Sequence, residues 1–373
     1  MKTTPYWLAE PHESFVTRAS DRADVDVVVV GGGVTGCSCA LTLAEHGVRV
    51  RLLEAREIAA GASGRNGGFA LRGGAMSYDP GWAELWRLTE CALDRLEALA
   101  GDAFRRVGSL RLAADAAERD VLARELGLLR DDGFDAEWVD PLPAPLDRVY
   151  TAALLNPRDG ALHPARWVQG LAARAAAAGA DVVEGVTVRL DDLDAPNVVV
   201  AVDGLSASIL PELGEHVRPV RGQMLATAPL AEIRFARPHY ARGGYDYWQQ
   251  LPDGRLVAGG KRDASFATEA TADEETTALI QGRLEELVVE LVGELPEVTH
   301  RWAGVWGETS DRLPLAGRIP GRDGVWIAGG YSGHGNVLGL ACGDLVARAL
   351  IGESPPELAL FDPARLQLDP RGA

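Results

Sequence analysis

Asp24-Val-Asp-Val-Val-Val-Val-Gly-Gly-Gly-Val-Thr-Gly36, followed by Val48-Arg-Val-Arg-Leu-Leu-Glu54, is the stretch whose reading decides the fold. Asp24 to Val30 is a short run rich in β-branched residues, the pattern of a strand buried on both faces of a parallel sheet. Val34 to His46 has helical spacing, and Gly47 stops it. Val48 to Leu53 reads as a second strand. Strand, helix and strand make a βαβ unit with a right-handed crossover. Gly31, Gly33 and Gly36 form G-x-G-x-x-G between the first strand and the helix, the context that gives this weak motif meaning. Gly31 permits the tight turn, Gly33 lets a pyrophosphate approach the backbone, and Gly36 lets helix and strand pack closely. Val34 and Thr35 open the helix, whose free N–H groups suit phosphate. Glu54 ends the second strand, the place for an acid that binds ribose hydroxyls and disfavours a 2′-phosphate. The unit binds a dinucleotide, and NADP is a poor candidate.

Working outward, Ala62-Ser-Gly-Arg-Asn-Gly-Gly68 is a second Gly-rich loop soon after the acid. Its backbone N–H groups, with Ser63, Arg65 and Asn66, suit a pyrophosphate or the edge of a ring. A nicotinamide dehydrogenase usually runs into another helix here. The loop therefore points from NAD towards FAD, with a flexible surface loop as the competing reading.

Periodicity predicts helices over Pro80–Ala100, Arg119–Leu129, Pro164–Ala178, Glu274–Val292 and Asn336–Ile351. It predicts strands over Val182–Leu190, Val198–Val202 and Val325–Ala328. Pro141, Pro143 and Pro145 mark a connection. From Val217 to Arg262, short strands alternate with turns such as Pro252-Asp-Gly254, which is antiparallel grammar. The expected fold is an α/β, Rossmann-like dinucleotide-binding domain interleaved with an α+β, antiparallel-sheet substrate domain. Residues 1–90, 150–218 and 308–373 are assigned to the first, and 91–149 and 219–307 to the second.

The 373 residues exceed one ordinary core, in keeping with two domains. A formal net charge of -17 argues against nucleic acid as a partner, because a phosphate backbone would be repelled. The bland reading of that charge is solubility. Cys37, Cys39, Cys91 and Cys342 form no CxxC pair, so neither a metal site nor a disulfide framework is expected. Met1 to Ser20 is mixed and polar, unlike a secretion signal, and no apolar run approaches the ~20 residues of a membrane span. A cytoplasmic protein is the expectation.

With these residues in view, a family resemblance emerges. Val27 to Gly68, including Leu52-Leu-Glu-Ala-Arg56 and Gly61-Ala-Ser-Gly-Arg-Asn-Gly-Gly68, resembles the D-amino-acid oxidase-like FAD-dependent oxidoreductases. The nearest branch contains gamma-glutamylputrescine, sarcosine and glycine oxidases. Pro219-Val-Arg-Gly-Gln223, Pro252-Asp-Gly-Arg255, Thr309-Ser-Asp-Arg-Leu-Pro-Leu-Ala-Gly317 and Gly329-Gly-Tyr-Ser-Gly-His-Gly335 extend it over nearly the whole chain. The resemblance implies that Ala55, Arg56, Gly67 and Gly68 join the cofactor set. It implies that Val186 flanks adenine, that Ala201, Val202 and Gly204 close over the pyrophosphate, and that Gly333, His334, Gly335 and Asn336 face the flavin. A helix N-terminus there suits the negative charge of a reduced flavin. His334 is also readable as a structural histidine. The Asp191–Asn197 link is shorter than the family's hairpin. No His or Cys lies between Gly61 and Gly74 or between Trp302 and Gly317, and Cys342 falls inside the last helix, so FAD is expected to be non-covalent.

The resemblance further implies oxidation of a C–N bond: hydride transfer to flavin N5, hydrolysis of the imine, and reoxidation by O2 to give H2O2. Tyr245 and Tyr247 would share one face of a strand and form an aromatic wall for the amine, unless they belong to a plain core strand. Lys261 is either a cation promoting oxygen reduction or a solvated side chain. Arg72 is offset from the carboxylate-binding arginine of the sarcosine oxidase branch, and Val337 and Leu338 stand near the place of its lysine. Arg312 is a further candidate. A small amino acid is thereby disfavoured, and a primary or secondary amine or amino-acid derivative, with or without a remote carboxylate, is preferred. Competing readings are a dehydrogenase serving a quinone or carrier, a biosynthetic tailoring enzyme, and a non-catalytic flavin-binding protein.

Overall fold

The computed structural model describes residues 4–9 and 25–366. Asp24, the first residue of the predicted opening strand, and most of the polar N-terminal stretch lie outside them.

The valine run folds as Val27–Val30 at the centre of a six-stranded sheet. The spatial order is Leu315–Arg318, Val325–Gly329, Asn197–Val200, Val27–Val30, Val50–Leu53 and Asp181–Val183. All neighbours are parallel except the first pair. Both faces are covered, as the unbroken run of valines requires: Val27 and Val29 join one apolar core, Val28 and Val30 another. The helices in chain order are α1 (Val34–Glu45), α2 (Ala83–Ala100), α3 (Ala116–Asp131), α4 (Pro164–Ala177), α5 (Phe266–Glu269), α6 (Ala278–Val292) and α7 (Gly335–Leu350). Helix α1 packs against α4 and α7 and is buried from Val34 to Ala44. Small residues permit this close approach. A Cβ on Gly339 would sit 2.8 Å from Thr35 Oγ1, and Ser38 Oγ donates to Leu340 O at 2.7 Å. The first and last α-helices thus pack side by side.

A second sheet has eight strands: Val298–Thr309, Val217–Pro229, Arg255–Gly260, Asp246–Gln250, His239–Ala241, Ser109–Ala113, Ala152–Asn156 and Glu137–Val139. It is antiparallel apart from the junction of His239–Ala241 with Ser109–Ala113. The core under α6 includes Leu225, Trp248, Leu256 and Leu284. Ala152–Asn156, which the sequence division places with the dinucleotide-binding part, pairs inside this sheet. A small third sheet, Phe69–Ala70, Gly160–Leu162 and Phe104–Arg105, lies after the second Gly-rich loop.

Several elements differ from expectation, among them the unpredicted strands Ser109–Ala113, Glu137–Val139 and Ala152–Asn156. The strand predicted over Val182–Leu190 ends at Val183, where Gly185 takes φ +76° and Val186 N donates back to Glu54 O. Helix α6 starts at Ala278 and not Glu274, because Thr277 caps it by accepting from Ile280 N. The long strand Val298–Thr309 was not anticipated. Its Thr-His-Arg opening and its glycines hide the alternation.

Candidate active site

The two large sheets enclose a cavity of about 830 Å³, within the range of small-molecule and cofactor sites. Its dinucleotide end follows from the glycine motif. Gly31 leaves the central strand at φ +112°, and a Cβ there would collide with the Ala201 carbonyl. Gly33 caps α1 with extended backbone, and its missing Cβ leaves room beside Ser63 Oγ, which accepts from Val34 N at 3.0 Å. Gly36 is not on the wall; a Cβ there would strike Gly31 O, so it serves helix–strand packing as expected. Glu54 folds onto the motif. Its carboxylate accepts from Gly32 N at 2.7 Å and from Arg56 N at 2.8 Å.

The second loop is braced from several sides. Asn66 Nδ2 donates to Ala62 O and Ser63 O, both at 3.0 Å, while its Oδ1 accepts from Gly68 N at 2.8 Å. Asn66 and Asn336 also exchange amide hydrogen bonds of 3.1 and 3.0 Å, joining the loop to the start of α7. Two indoles pin consecutive carbonyls: Trp302 Nε1 donates to Arg65 O and Trp7 Nε1 to Asn66 O, each at 2.8 Å. Arg65 donates to Ala60 O and Ala303 O, and burial pulls its pKa down. These amide side chains hold the loop through protein partners.

At the C-terminal side, Asp203 is a hub. Its carboxylate accepts from Gly330 N at 2.7 Å, Gly307 N at 3.0 Å and Tyr331 N at 3.3 Å. Burial pushes its pKa up, and these donors pull it back. Thr35 Oγ1 donates to Tyr331 OH at 2.9 Å, tying α1 to the same segment. His334 is the N-cap residue of α7. Burial, helped by the charges of Arg111 and Arg312, pushes its pKa down to about 4, so the ring is neutral near pH 7.

The structure gathers most of the expected residues on one wall. Gly31, Gly33, Val34, Thr35, Glu54, Ala55, Arg56, Ala62, Ser63, Arg65, Asn66, Gly67, Val186, Ala201, Val202, Gly333, His334, Gly335 and Asn336 line the cavity. Gly68 and Gly204 stand behind it. A Cβ on Gly68 would meet Leu162 O, and one on Gly204 would meet the backbone of Trp306 and Gly307. At the other end Tyr245, Tyr247 and Arg312 line the cavity, with Tyr240, Arg262 and Trp306, which sequence reasoning missed. Arg262 lies about 5.4 to 5.7 Å from the ring centres of Tyr245, Phe266 and Trp306 and pairs with Glu308 at 3.1 Å.

Lys261 does not reach the wall. The hairpin turns it out at φ +60°, and its ammonium pairs at 2.7 Å with buried Asp246, which also holds Arg242. Arg72 is likewise removed as a substrate contact. It is buried beside Asp159 and Glu90, with its guanidinium over Trp86. Among the described residues, no group of three or more His, Cys, Asp and Glu could hold a metal, and no helix is long and apolar enough to cross a membrane.

The residues present fit FAD. The glycine cradle excludes a Cβ where a diphosphate would approach, and the N-termini of α1 and α7 both open on the same cavity. Trp306 Nε1 is a buried polar atom without a protein partner on its wall.

Comparison with known proteins agrees. The chain is 30% identical to a probable oxidoreductase OrdL of Rhizobium meliloti, covering 93% of this chain and 87% of that protein. It is 28% identical to gamma-glutamylputrescine oxidoreductase of Escherichia coli over 88% of this chain and 84% of that one. The crystal structure of glycine oxidase from Geobacillus kaustophilus superposes with a TM-score of 0.78 at 24% identity, covering 94% of this chain and all of that one. The family model described as "FAD dependent oxidoreductase" matches residues 26–349, and the chain therefore belongs to this DAO family of FAD-dependent oxidoreductases.

Proposed function

We propose that this enzyme oxidises the C–N bond of a primary or secondary amine that carries a carboxylate remote from the reacting carbon, with O2 as the electron acceptor and H2O2 as the product. The observation that carries this reading is the composition of the cavity's far end: aromatic rings, a neutral histidine and two guanidiniums. The four acids on the cavity wall, Glu54, Asp203, Asp273 and Glu274, all accept from protein donors. Such a wall disfavours an ammonium ion and favours a neutral amine with an anion elsewhere in the molecule.

Bound non-covalently, FAD supplies the two-electron acceptor for the carbon that bears the nitrogen. The chain supplies orientation and electrostatics. Tyr240 and Tyr247 face the substrate space as aromatic surface, and burial raises the pKa of both hydroxyls, that of Tyr247 to about 12, so both stay protonated donors. With its pKa near 4, His334 does not hold a proton at neutral pH, so the amine loses its proton to solvent before or on entry. The N-terminus of α7, at Gly335 to Val337, presents partial positive charge to the cavity. Arg312, an exposed cation at the wall, is suited to the remote carboxylate. Cys37, Cys39 and Cys342 are buried inside helices and off the cavity wall, which supports a non-covalent cofactor.

The test is anaerobic mixing of the yellow holoprotein with a panel of amines, followed by admission of air. Bleaching by carboxylate-bearing amines and fast recovery of colour with stoichiometric peroxide are expected. Failure of every amine to bleach the flavin refutes the reading. One observation favours a dehydrogenase serving a quinone or carrier: Lys261, the cation considered for oxygen reduction, is held away from the cavity by Asp246. Slow recovery in air with fast recovery on an artificial quinone would establish that second reading.

A further inference from the structure

Residues 270–277 join α5 to α6 as a strap with no helix or strand of its own. Both feet of the strap are fastened to one side chain. Buried Glu269 accepts from Arg221 Nε at 2.9 Å and from Gln223 Nε2 at 3.0 Å. Thr277 N donates to Gln223 Oε1 at 2.9 Å. Between the feet, Ala272, Asp273 and Glu274 reach the cavity wall. There Glu274 pairs with Arg56 Nη1 at 2.7 Å and with Arg65 Nη2 at 3.2 Å. Arg56 follows Glu54 on the dinucleotide side, and Arg65 lies in the second Gly-rich loop. One carboxylate on the strap thus fastens it to both segments across the dinucleotide end of the cavity.

Two physical points give this contact a use. A free carboxylate beside a diphosphate would repel it, and the guanidiniums of Arg56 and Arg65 offset the charge of Glu274. Arg65 is only 11% exposed, but the Glu274–Arg56 pair is half-buried, with Glu274 27% and Arg56 44% exposed. Pairs of this kind are weak individually and open readily. Buried feet with a half-buried centre make a strap that can lift without losing its anchorage.

We propose that Glu274 is the latch of this strap, and that its opening sets the rate at which FAD enters and leaves the enzyme. The proposal rests on the FAD dependence established above. The latched groups all belong to the protein, so the same ion pairs must break for entry and for exit.

The test uses the full chain, stripped of FAD and reconstituted, with binding followed by quenching of flavin fluorescence and release by chase into an excess of a second FAD-binding apoprotein. Glu274→Gln should speed both association and release about tenfold at low salt, with the Kd moving far less than either rate. Raising the ionic strength should speed release from the wild type towards the variant's rate and leave the variant nearly unchanged. Glu274→Asp should fall between the two. An unchanged or slower release from Glu274→Gln overturns the proposal. So does faster release with unchanged association, which would make Glu274 a direct stabiliser of bound cofactor. Should Glu274→Gln fold poorly, the salt dependence of the wild type alone decides, and salt-independent release refutes the latch. A wild-type apoprotein that does not rebind FAD would instead refute the cofactor assignment.

Discussion

Asp203→Asn isolates the charge of the hub that assembles the C-terminal wall. Asp203 has φ +47°, a conformation that Asn tolerates better than most residues, so the backbone is not newly strained. In the wild type one carboxylate oxygen accepts from Gly330 and Tyr331 and the other from Gly307. An amide can keep the first oxygen but must turn its NH2 group against the Gly307 N–H. One charge-assisted hydrogen bond is lost, about 1.5–3 kcal/mol, and a buried N–H is left unpaired, about 1–3 kcal/mol. Relief from burying a charge offsets part of this, because burial already pushes the Asp203 pKa up. A net loss of about 2–3 kcal/mol remains. Unfolding entropy of about 2.1 cal/mol/K per residue over 373 residues is roughly 0.8 kcal/mol/K, so the apoprotein should melt about 3 °C lower. FAD affinity should fall with it, because Gly330 and Tyr331 lead into the cavity-facing start of α7. Calorimetry with and without FAD measures both. A melting point within about 1 °C of wild type, with unchanged FAD affinity, would refute the claim that this carboxylate organises the wall.

Two further variants test other assignments. Lys261→Met should leave flavin reoxidation in air within about twofold of wild type, since the lysine is off the cavity, yet lower stability by about 1–3 kcal/mol by depriving buried Asp246 of a partner; stopped-flow reoxidation and denaturant unfolding separate the two effects, and a tenfold loss of oxygen reactivity would restore the catalytic reading. His334→Asn bears on pH. The folded His334 pKa, about 4, lies below its ordinary 6.5, so the neutral ring contributes stability in full above pH 6.5, and this is lost as pH falls towards 4. Buried His239, pushed down to about 3, acts in the same direction, so the variant should flatten this acid slope only partly. Its kcat/KM profile should keep the wild-type limbs between pH 6 and 9, and loss of a limb in that range would show His334 titrating there.

The cofactor half was legible because its signals are local. A valine run, three spaced glycines and an acid dictate strand, turn and helix, with the acid at the end of the second strand, within about thirty residues. Asp203 sits between two residues that were singled out, yet nothing near it announces a hub, since its partners Gly307 and Gly330 are joined to it only by the fold. Trp306 was missed with the strand that carries it. Tyr245 and Tyr247 both line the cavity, although Tyr245 lies in the turn before a strand that begins only at Asp246, and not on one strand face with Tyr247 as expected. Lys261 shows how residue type misleads without register. Asp246 pairs with Gly260 across the hairpin, which sets the acid beside the next residue and claims the lysine.

The charges around the cavity divide by what they face, and this division gives the substrate side its sharpest test. Arg72 with Asp159 and Glu90, Arg221 with Glu269, and Lys261 and Arg242 with Asp246 are protein pairs whose members do not line the cavity. Opposite charges in contact leave little net field beyond their own neighbourhood. The potential at the substrate end is then left to Arg262, offset by Glu308, and to Arg312, whose guanidinium donates to Ala75 O at 3.1 Å and has no carboxylate partner among the described residues. Arg312→Met should therefore raise KM about tenfold or more for a carboxylate-bearing amine, with kcat little changed, because an interaction present in both the bound and reacting states is removed. The same variant should leave an amine of equal length without the carboxylate untouched. Equal losses for both amines, or a loss confined to kcat, would mean that Arg312 supports the wall and does not read the substrate's charge.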